Sequence, residues 1–352
     1  MDKSEIRISL GNPGYIMTYM LSRIQALVVL IYNSLMKTRL LNINNKLMRR
    51  IREVLFHNIC FGCEASFGIK NPTRKFYVIR CPQSTLGFFG LYNYVVSHIK
   101  KAEAMGREPI ADWKYYPNSA VTDEKRFAKD NAWDYFFEPM IDISLDEVYQ
   151  SKNVWMSSGE SNSSLGEAFD EEALLESREI INKYMRPSKS VMERYERRYL
   201  EFGMDSEKIL GVLCRGTDFA ATKPQFHAIC PDAEQTIDFI EKMMKEWGYY
   251  EHIFVATEDK NILNALKMKY GSRLLVNQTT MIDYSGDKWL NECYANIDAE
   301  KCMNISLEYF VSVILLSKCD ALIAPLVGGT LGAMRMKGKY EKIYLTKLGQ
   351  YN

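Results

Sequence analysis

The sequence predicts an α/β protein of two domains, each built on a parallel sheet, behind a basic helical leader. Three observations carry this. The chain has 352 residues, and at roughly 150 residues per domain that length suits two. Its second half alternates short apolar runs with helical patterns, as βαβ units do. Its charge is also divided: residues 1–75 hold twelve Lys/Arg and four Asp/Glu, so a leader at +8 stands before a remainder at −7 and the total is +1. Hydrophobic residues at 47% and charged residues at 25% are a globular composition, which excludes a disordered tail or a collagen-like repeat. The balanced total excludes a broad basic field for nucleic acid. Eight cysteines are too sparse for a disulfide framework in a chain this long.

The leader, residues 1–70, comes first. Residues 15–32 are mostly apolar but carry Arg23 and Gln25, and the uncharged run 24–36 has 13 residues. A membrane-spanning helix needs about 20, and no small-residue cleavage site follows as in a signal peptide. Lys37, Arg39, Lys46, Arg49, Arg50 and Arg52 come next. Three readings stay open: an interfacial anchor on anionic lipid, a helical pair docked on the body, or a true span whose basic flank would keep the body on the cytoplasmic side. The body is expected in the cytoplasm, peripheral to a membrane in the first. His57, Cys60 and Cys63 lack the second ligand pair of a zinc site, so no metal is expected there.

The first domain is expected over 71–204. Residues 75–80 (KFYVIR) read as a strand, 81–90 as a turn-rich loop, and 91–104 as a helix stopped by Gly106. Residues 108–113 (EPIADW) make the next strand, with Asp112 at its C-terminal end, where open α/β sheets place ligands. Residues 131–139 (NAWDYFFEP) are aromatic and acidic and include Glu138. Residues 170–203 read as helix with a break at Pro187, and Tyr184, Val191, Tyr195 and Tyr199 recur at helical spacing as a packing stripe.

The second domain is expected over 205–352. Strands are read at 208–214 (KILGVLC), 252–256, 321–324 and 342–345. Helices are read at 232–247, opening on an Asp cap, at 260–270, closed by Gly271, at 306–318, and from 328.

Candidate chemistry gathers where these strands end. Arg215 follows an apolar strand, and a guanidinium can hold a phosphate through two hydrogen bonds. Gly216 lets a ligand approach the backbone, and Asp218 can orient Arg215 or accept a proton. Thr257, Glu258 and Asp259 read equally as a ligand turn or a helix cap. The run 326–332 (LVGGTLG) offers the amides of Gly328, Gly329 and Thr330, with the Thr330 hydroxyl, to a pyrophosphate at a helix start. Lys223 and His227 are further loop candidates. The chain has no Asp-x-Asp pair, so a metal-bridged sugar nucleotide lacks its usual anchor.

These stretches resemble the fucosyltransferase superfamily, which includes the Nod-factor, N-glycan core and protein O-fucosyltransferases. Leu213-Cys214-Arg215-Gly216-Thr217-Asp218 resembles the family's strand-borne His-x-Arg-Arg-Thr-Asp motif, and Arg215 matches the arginine that holds the β-phosphate of GDP-fucose. Leu213 replaces the family His, and Gly216 its second Arg. Residues 254–259 (FVATED) and 319–331 (CDALIAPLVGGTL) resemble donor-side segments; 85–90, 110–113, 131–139 and Lys223-Pro224 with His227 resemble segments of bacterial relatives. The likeness runs over roughly residues 75–345. It implies a GT-B-like fold, two Rossmann-like domains facing a cleft, and a metal-independent, inverting transfer from a GDP-sugar, foremost GDP-fucose, to a glycan or lipid-linked glycan hydroxyl. Lipopolysaccharide or capsule assembly would suit such an enzyme. Arg215 would stabilise the leaving diphosphate, and Glu138, Asp112 and Asp218 are the candidate general bases. Two other classes remain: a nucleotide- or glycan-binding module without turnover, and a membrane-surface scaffold that keeps the fold.

Overall fold

The structure, a computed structural model, describes residues 62–80, 87–114, 130–158, 165–216, 220, 222–223, 225, 227–278 and 299–351. The leader up to residue 61, with His57 and Cys60, and also Asp218, lie outside the described residues. The described chain is mixed α/β with two sheets of mainly parallel strands.

Contacts divide the protein into two units. The first contains the described residues up to 80 and from 94 to 158; the second contains 87–93 and the described residues from 165 onward. Residues 165–204 thus group with the second sheet.

The first unit is built on β1 (Cys63–Ala65), β2 (Phe76–Arg80), β3 (Glu108–Asp112) and β4 (Val154–Met156), in the order β1-β4-β2-β3. β2 runs parallel to both neighbours, with Arg80 level with Asp112, and β1 is antiparallel to β4. Every residue of β2 is buried, as expected of a strand covered on both faces. α1 (Phe88–Ala104) links β2 to β3, and its Val95, Val96, Ile99 and Ala102 are fully buried. Gly106 ends the turn with φ of 61°, a left-handed conformation that glycine adopts without strain. Helix α1 begins three residues earlier than its sequence pattern suggests. Phe88 and Phe89 look like loop residues, but both are buried: Phe88 packs on Phe310, and Phe89 on Tyr309 and Tyr92. Burying two aromatic rings outweighs the modest helix propensity of the run Phe-Phe-Gly.

Residues 131–139 form a short 3₁₀ turn (Ala132–Tyr135) rather than a strand or helix, with Trp133 stacked on Phe137 and set edge-on to Trp113. The single-turn helix α2 (Leu145–Val148) follows, capped by Ser144.

In the second unit α3 (Glu171–Tyr184) and α4 (Lys189–Glu201) come first, separated at Pro187 as the sequence predicts and capped by Asp170 and Ser188. The sheet contains β5 (Ile209–Cys214), β6 (His252–Thr257), β7 (Leu274–Val276), β8 (Ala321–Pro325) and β9 (Lys342–Thr346), all parallel, in the order β7-β6-β5-β8-β9. Its helices are α5 (Ala233–Trp247), α6 (Lys260–Tyr270), α7 (Ala299–Leu316) and α8 (Gly328–Lys337). A reciprocal capping box of Asp232 and Gln235 starts α5, which satisfies two orphan amide groups at once. One apolar cluster runs from Leu210, Val212 and Cys214 through Ile240 and Met243 to Ile253, Val255 and Ile323, and joins β5, β6 and β8 to α5. Burial pushes the Cys214 thiol well above its usual pKa, and Glu258 and Asp259 add to the effect, so this cysteine is a packing residue.

Candidate functional site

The order of the second sheet decides where its crevice opens. From β5 the chain steps outward to β6 and β7, then returns to the other side of β5 for β8 and β9. The direction reverses between β5 and β8. At such a switch point the flanking connections leave toward opposite faces and open a crevice at the carboxyl ends of the strands. Parallel register brings the three strand ends level: Cys214 pairs with Thr257, and Val212 with Ile323. Arg215, Glu258 and the start of α8 therefore share one edge.

Arg215 is the first residue beyond β5. Its Nε lies 3.5 Å from Glu258 Oε1, and both side chains are largely covered, at 21% and 16% exposure. The carboxylate fixes the guanidinium beside the crevice. Gly216 has a packing reason. A Cβ there would sit 2.3 Å from Asp259 Oδ2, so the loops after β5 and β6 touch only because residue 216 has no side chain.

The turn Thr257-Glu258-Asp259 acts as a helix start. Asp259 Oδ1 accepts from the amides of Asn261 and Ile262, at 2.8 and 3.1 Å. Thr257 is buried; its hydroxyl accepts from the Asp259 amide, and its own amide donates to Gln278 Oε1. These bonds make the turn a cap for α6.

The first turn of α8 is the third component. Its N-cap residue, Val327, supplies no side-chain bond, so the first amides of this helix carry the positive end of the dipole without a capping oxygen. The Thr330 hydroxyl is fully buried and donates to the Pro325 carbonyl at 2.6 Å. The glycines make room for aromatic neighbours: a Cβ at Gly332 would lie 2.5 Å from the Phe89 ring, and one at Gly329 would lie 2.2 Å from Tyr309 Oη and 3.1 Å from Leu213 Cδ1. Gly328 backs onto Phe89, and its carbonyl accepts from Asn93 Nδ2 at 3.0 Å. Asn93 Oδ1 accepts in turn from Arg335 Nη1 at 2.8 Å, and Arg335 Nη2 donates to Glu167 Oε2 at 2.6 Å. Arg335 is wholly buried. In a helix, a long side chain points back toward the N-terminus, so Arg335 reaches Asn93 two turns up α8.

Asp112 and Glu138 belong to the first unit, and Lys223 and His227 to a loop of the second. Asp112, in the first unit, is buried, and its Oδ2 accepts from the Tyr149 hydroxyl at 2.6 Å while Oδ1 accepts from the Lys114 amide at 3.1 Å. Glu138, also in the first unit, is exposed, and its carbonyl accepts from Trp133 Nε1. Lys223 is exposed in a left-handed conformation, with φ of 44°. His227 is exposed, its Nδ1 3.0 Å from the Gln225 carbonyl, and its own carbonyl accepts from the Tyr351 amide. Sequence reasoning missed Tyr309, Asn93 and Arg335. Asn93 and Tyr309 lie in α1 and α7, outside any strand-end motif, and only the fold brings them to α8, where Arg335 meets Asn93. Among the described residues no group of three or more His, Cys, Asp or Glu is placed to hold a metal ion, and no helix is long and apolar enough to cross a membrane.

No protein-family model matches the sequence, and no curated protein matches it. Solved structures similar to the chain are fucosyltransferases. The NodZ α-1,6-fucosyltransferase soaked with GDP-fucose is 14% identical, with a TM-score of 0.48 over 78% of this chain and 96% of that one. The fucosyltransferase NodZ from Bradyrhizobium is 15% identical, with a TM-score of 0.47 over 74% and 92%. An Arabidopsis thaliana FUT1 mutant in complex with GDP is 12% identical, with a TM-score of 0.44 over 80% and 73%.

Proposed function

We propose that the chain is a glycosyltransferase that binds a GDP-sugar, GDP-fucose, at the β5/β8 crevice and transfers the sugar to a glycan hydroxyl. One observation carries the reading: the switch point of the second sheet gathers Arg215 and the uncapped first turn of α8 on a single edge. A guanidinium and a row of helix amides are a charge-complementary pair for a diphosphate. The identity of the donor rests on the sequence likeness of residues 213–218, 254–259 and 319–331 to fucosyltransferase motifs.

In the reaction the acceptor oxygen attacks the anomeric carbon, the bond from that carbon to the β-phosphate oxygen breaks, and the configuration inverts. Arg215 and the amides of Gly328, Gly329 and Thr330 stabilise the negative charge that grows on the departing diphosphate. The acceptor proton passes to a general base. Asp112, Asp218 and Glu138 are the acids named for that role from the sequence; Asp112 has both carboxylate oxygens in hydrogen bonds, and Glu138 is exposed. The lack of an Asp-x-Asp pair supports a metal-independent displacement. In this reading the second unit holds the donor and the first the acceptor, with the basic leader holding the protein at an anionic membrane surface where a lipid-linked glycan would be met.

Calorimetric titration of the full chain with GDP tests the reading, followed by an assay of GDP release from GDP-fucose over a panel of glycan acceptors. Binding that Arg215→Ala removes, together with acceptor-dependent release, is expected. Absence of GDP binding at millimolar nucleotide would sink it. Binding with no release over the whole panel would leave a nucleotide-binding module instead.

A further inference from the structure

Beyond the last paired residues of β6 and β7, Val255 and Val276, a side chain continues the ladder where the backbone stops. Thr257 and Gln278 each lie two residues further along, and the Thr257 amide donates to Gln278 Oε1 at 3.0 Å. A backbone N–H can only donate, which fixes the orientation of the carboxamide and puts Nε2 at its other end. Gln278 is 9% exposed, yet Nε2 has no hydrogen-bond partner among the described residues. Its neighbour Asn277, also buried, directs its Nδ2 to the Glu308 carbonyl and the Ser312 hydroxyl. Nor is Nε2 sealed in the interior, as Arg335 Nε and Thr346 Oγ1 are. The ladder needs only an oxygen at this point. It explains Oε1 and leaves an amide donor at the carboxyl edge of the sheet without a structural task.

The place of that donor bears on its ligand. In doubly wound sheets a dinucleotide lies across the switch point, with its phosphates at the turn after the first strand and a ribose at the end of the second. The base then lies further out along the same edge. Here the first three strands are β5, β6 and β7, side by side in that order. Arg215 follows β5, Glu258 and Asp259 follow β6, and Gln278 follows β7. Neighbouring strands are about 4.8 Å apart, so a nucleotide with its diphosphate beside Arg215 carries its base toward Gln278. The exocyclic groups of bases are of two kinds: keto oxygens accept and amino groups donate. A free amide donor suits the first and opposes the second.

We propose that Gln278 selects the base of the nucleotide, its Nε2 donating to the exocyclic keto oxygen, O6 in guanine. The proposal rests on the sugar-nucleotide reading of this crevice and adds to it a specificity residue at the end of β7, a strand with no recognisable motif.

The test is calorimetric titration of the full-length protein and its Gln278→Glu variant with GDP and, separately, with the diphosphate of 2-aminopurine riboside, which carries hydrogen in place of O6. Glutamate keeps an oxygen for the Thr257 amide and removes the donor. In the parent, loss of O6 leaves Nε2 unpaired and should weaken binding about tenfold. In the variant GDP should weaken by about tenfold or more, because two acceptors then face each other, while the analogue binds both proteins alike. Equal GDP affinity in parent and variant overturns the proposal and leaves the site reading standing. Equal losses with GDP and the analogue overturn it too, because Gln278 would then act without O6. If the parent protein itself binds no GDP, the site reading fails and the proposal falls with it. Should Gln278→Glu fold poorly, as its thermal melt would show, the parent alone decides: a gap of about tenfold between GDP and the analogue sustains the proposal, and equal affinity overturns it.

Discussion

Gly216→Ala tests the packing role of this glycine. The added methyl would meet Asp259 Oδ2 at 2.3 Å, Cγ at 3.0 Å and Cβ at 3.1 Å. Residue 216 is not in the left-handed region, so alanine fits the backbone, and the reduced freedom of the unfolded chain stabilises by about 0.4–1 kcal/mol. Against this, the carboxylate must move. Its other oxygen caps α6 through two amides, and a lost cap costs about 1 kcal/mol. Forcing a methyl into a filled space costs about 1–3 kcal/mol more. The net loss is about 2 kcal/mol, a fall in melting temperature of about 4–8 °C for a unit of this size. Thermal melts followed by far-UV circular dichroism read it directly. Asp259→Ala should lose the cap alone, and adding Gly216→Ala to it should cost much less than in the parent, because the oxygen is gone. A Gly216→Ala protein as stable as the parent, or strict additivity of the two changes, would refute the steric argument.

Arg335→Met should cost about 3 kcal/mol, since it strands Glu167 and Asn93 around a fully buried site; a loss under about 1 kcal/mol in urea unfolding would show that the network is dispensable. Thr330→Val should lower stability by about 1 kcal/mol, because the Pro325 carbonyl loses its partner, and GDP affinity should hold, since that hydroxyl faces Pro325; a fall in affinity without a fall in stability would reverse the assignment. Stability should also decline in alkali. Burial raises the pKa of Tyr77, Tyr92, Tyr340, Cys214 and Cys319, so the folded protein retains protons that the unfolded chain releases. Their contribution is intact below the ordinary thiol and phenol values of about 8.5 and 10 and is lost as pH rises past them. Melting temperatures that stay level from pH 8 to about pH 11 would contradict this sign.

Much of the second sheet was legible because its signals are local. The run Ile209–Cys214 is apolar throughout and ends on a charged residue, Asp232 announces α5, and Pro187 divides α3 from α4. The strands β1, β4 and β7 were not legible. Each has three residues, too few to show a period, and each exists through hydrogen bonds to a neighbouring strand. The start of α1 was hidden for a related reason: Phe88 and Phe89 become helical through rings more than two hundred residues away. At the site, the strand-end motif led to Arg215. Tyr309 gave no sign in sequence, since a tyrosine inside an apolar helix is ordinary until the glycine it displaces is known. The Thr257 turn looked equally like cap and ligand, and only its hydrogen bonds show the cap.

The bond from Asn93 to Gly328 spans 235 residues, and that from Arg335 to Asn93 spans 242. A ribosome adding roughly 5–20 residues per second needs about 12–50 s to cover that distance. Throughout that interval Phe89, which packs on the glycines of α8, is already made, and the helix it awaits is not. The second unit therefore cannot be completed until the last part of the chain emerges, and its earliest segment must be kept from wrong partners meanwhile. A nascent chain stalled before residue 328 should accordingly be held by chaperones far more than the finished protein.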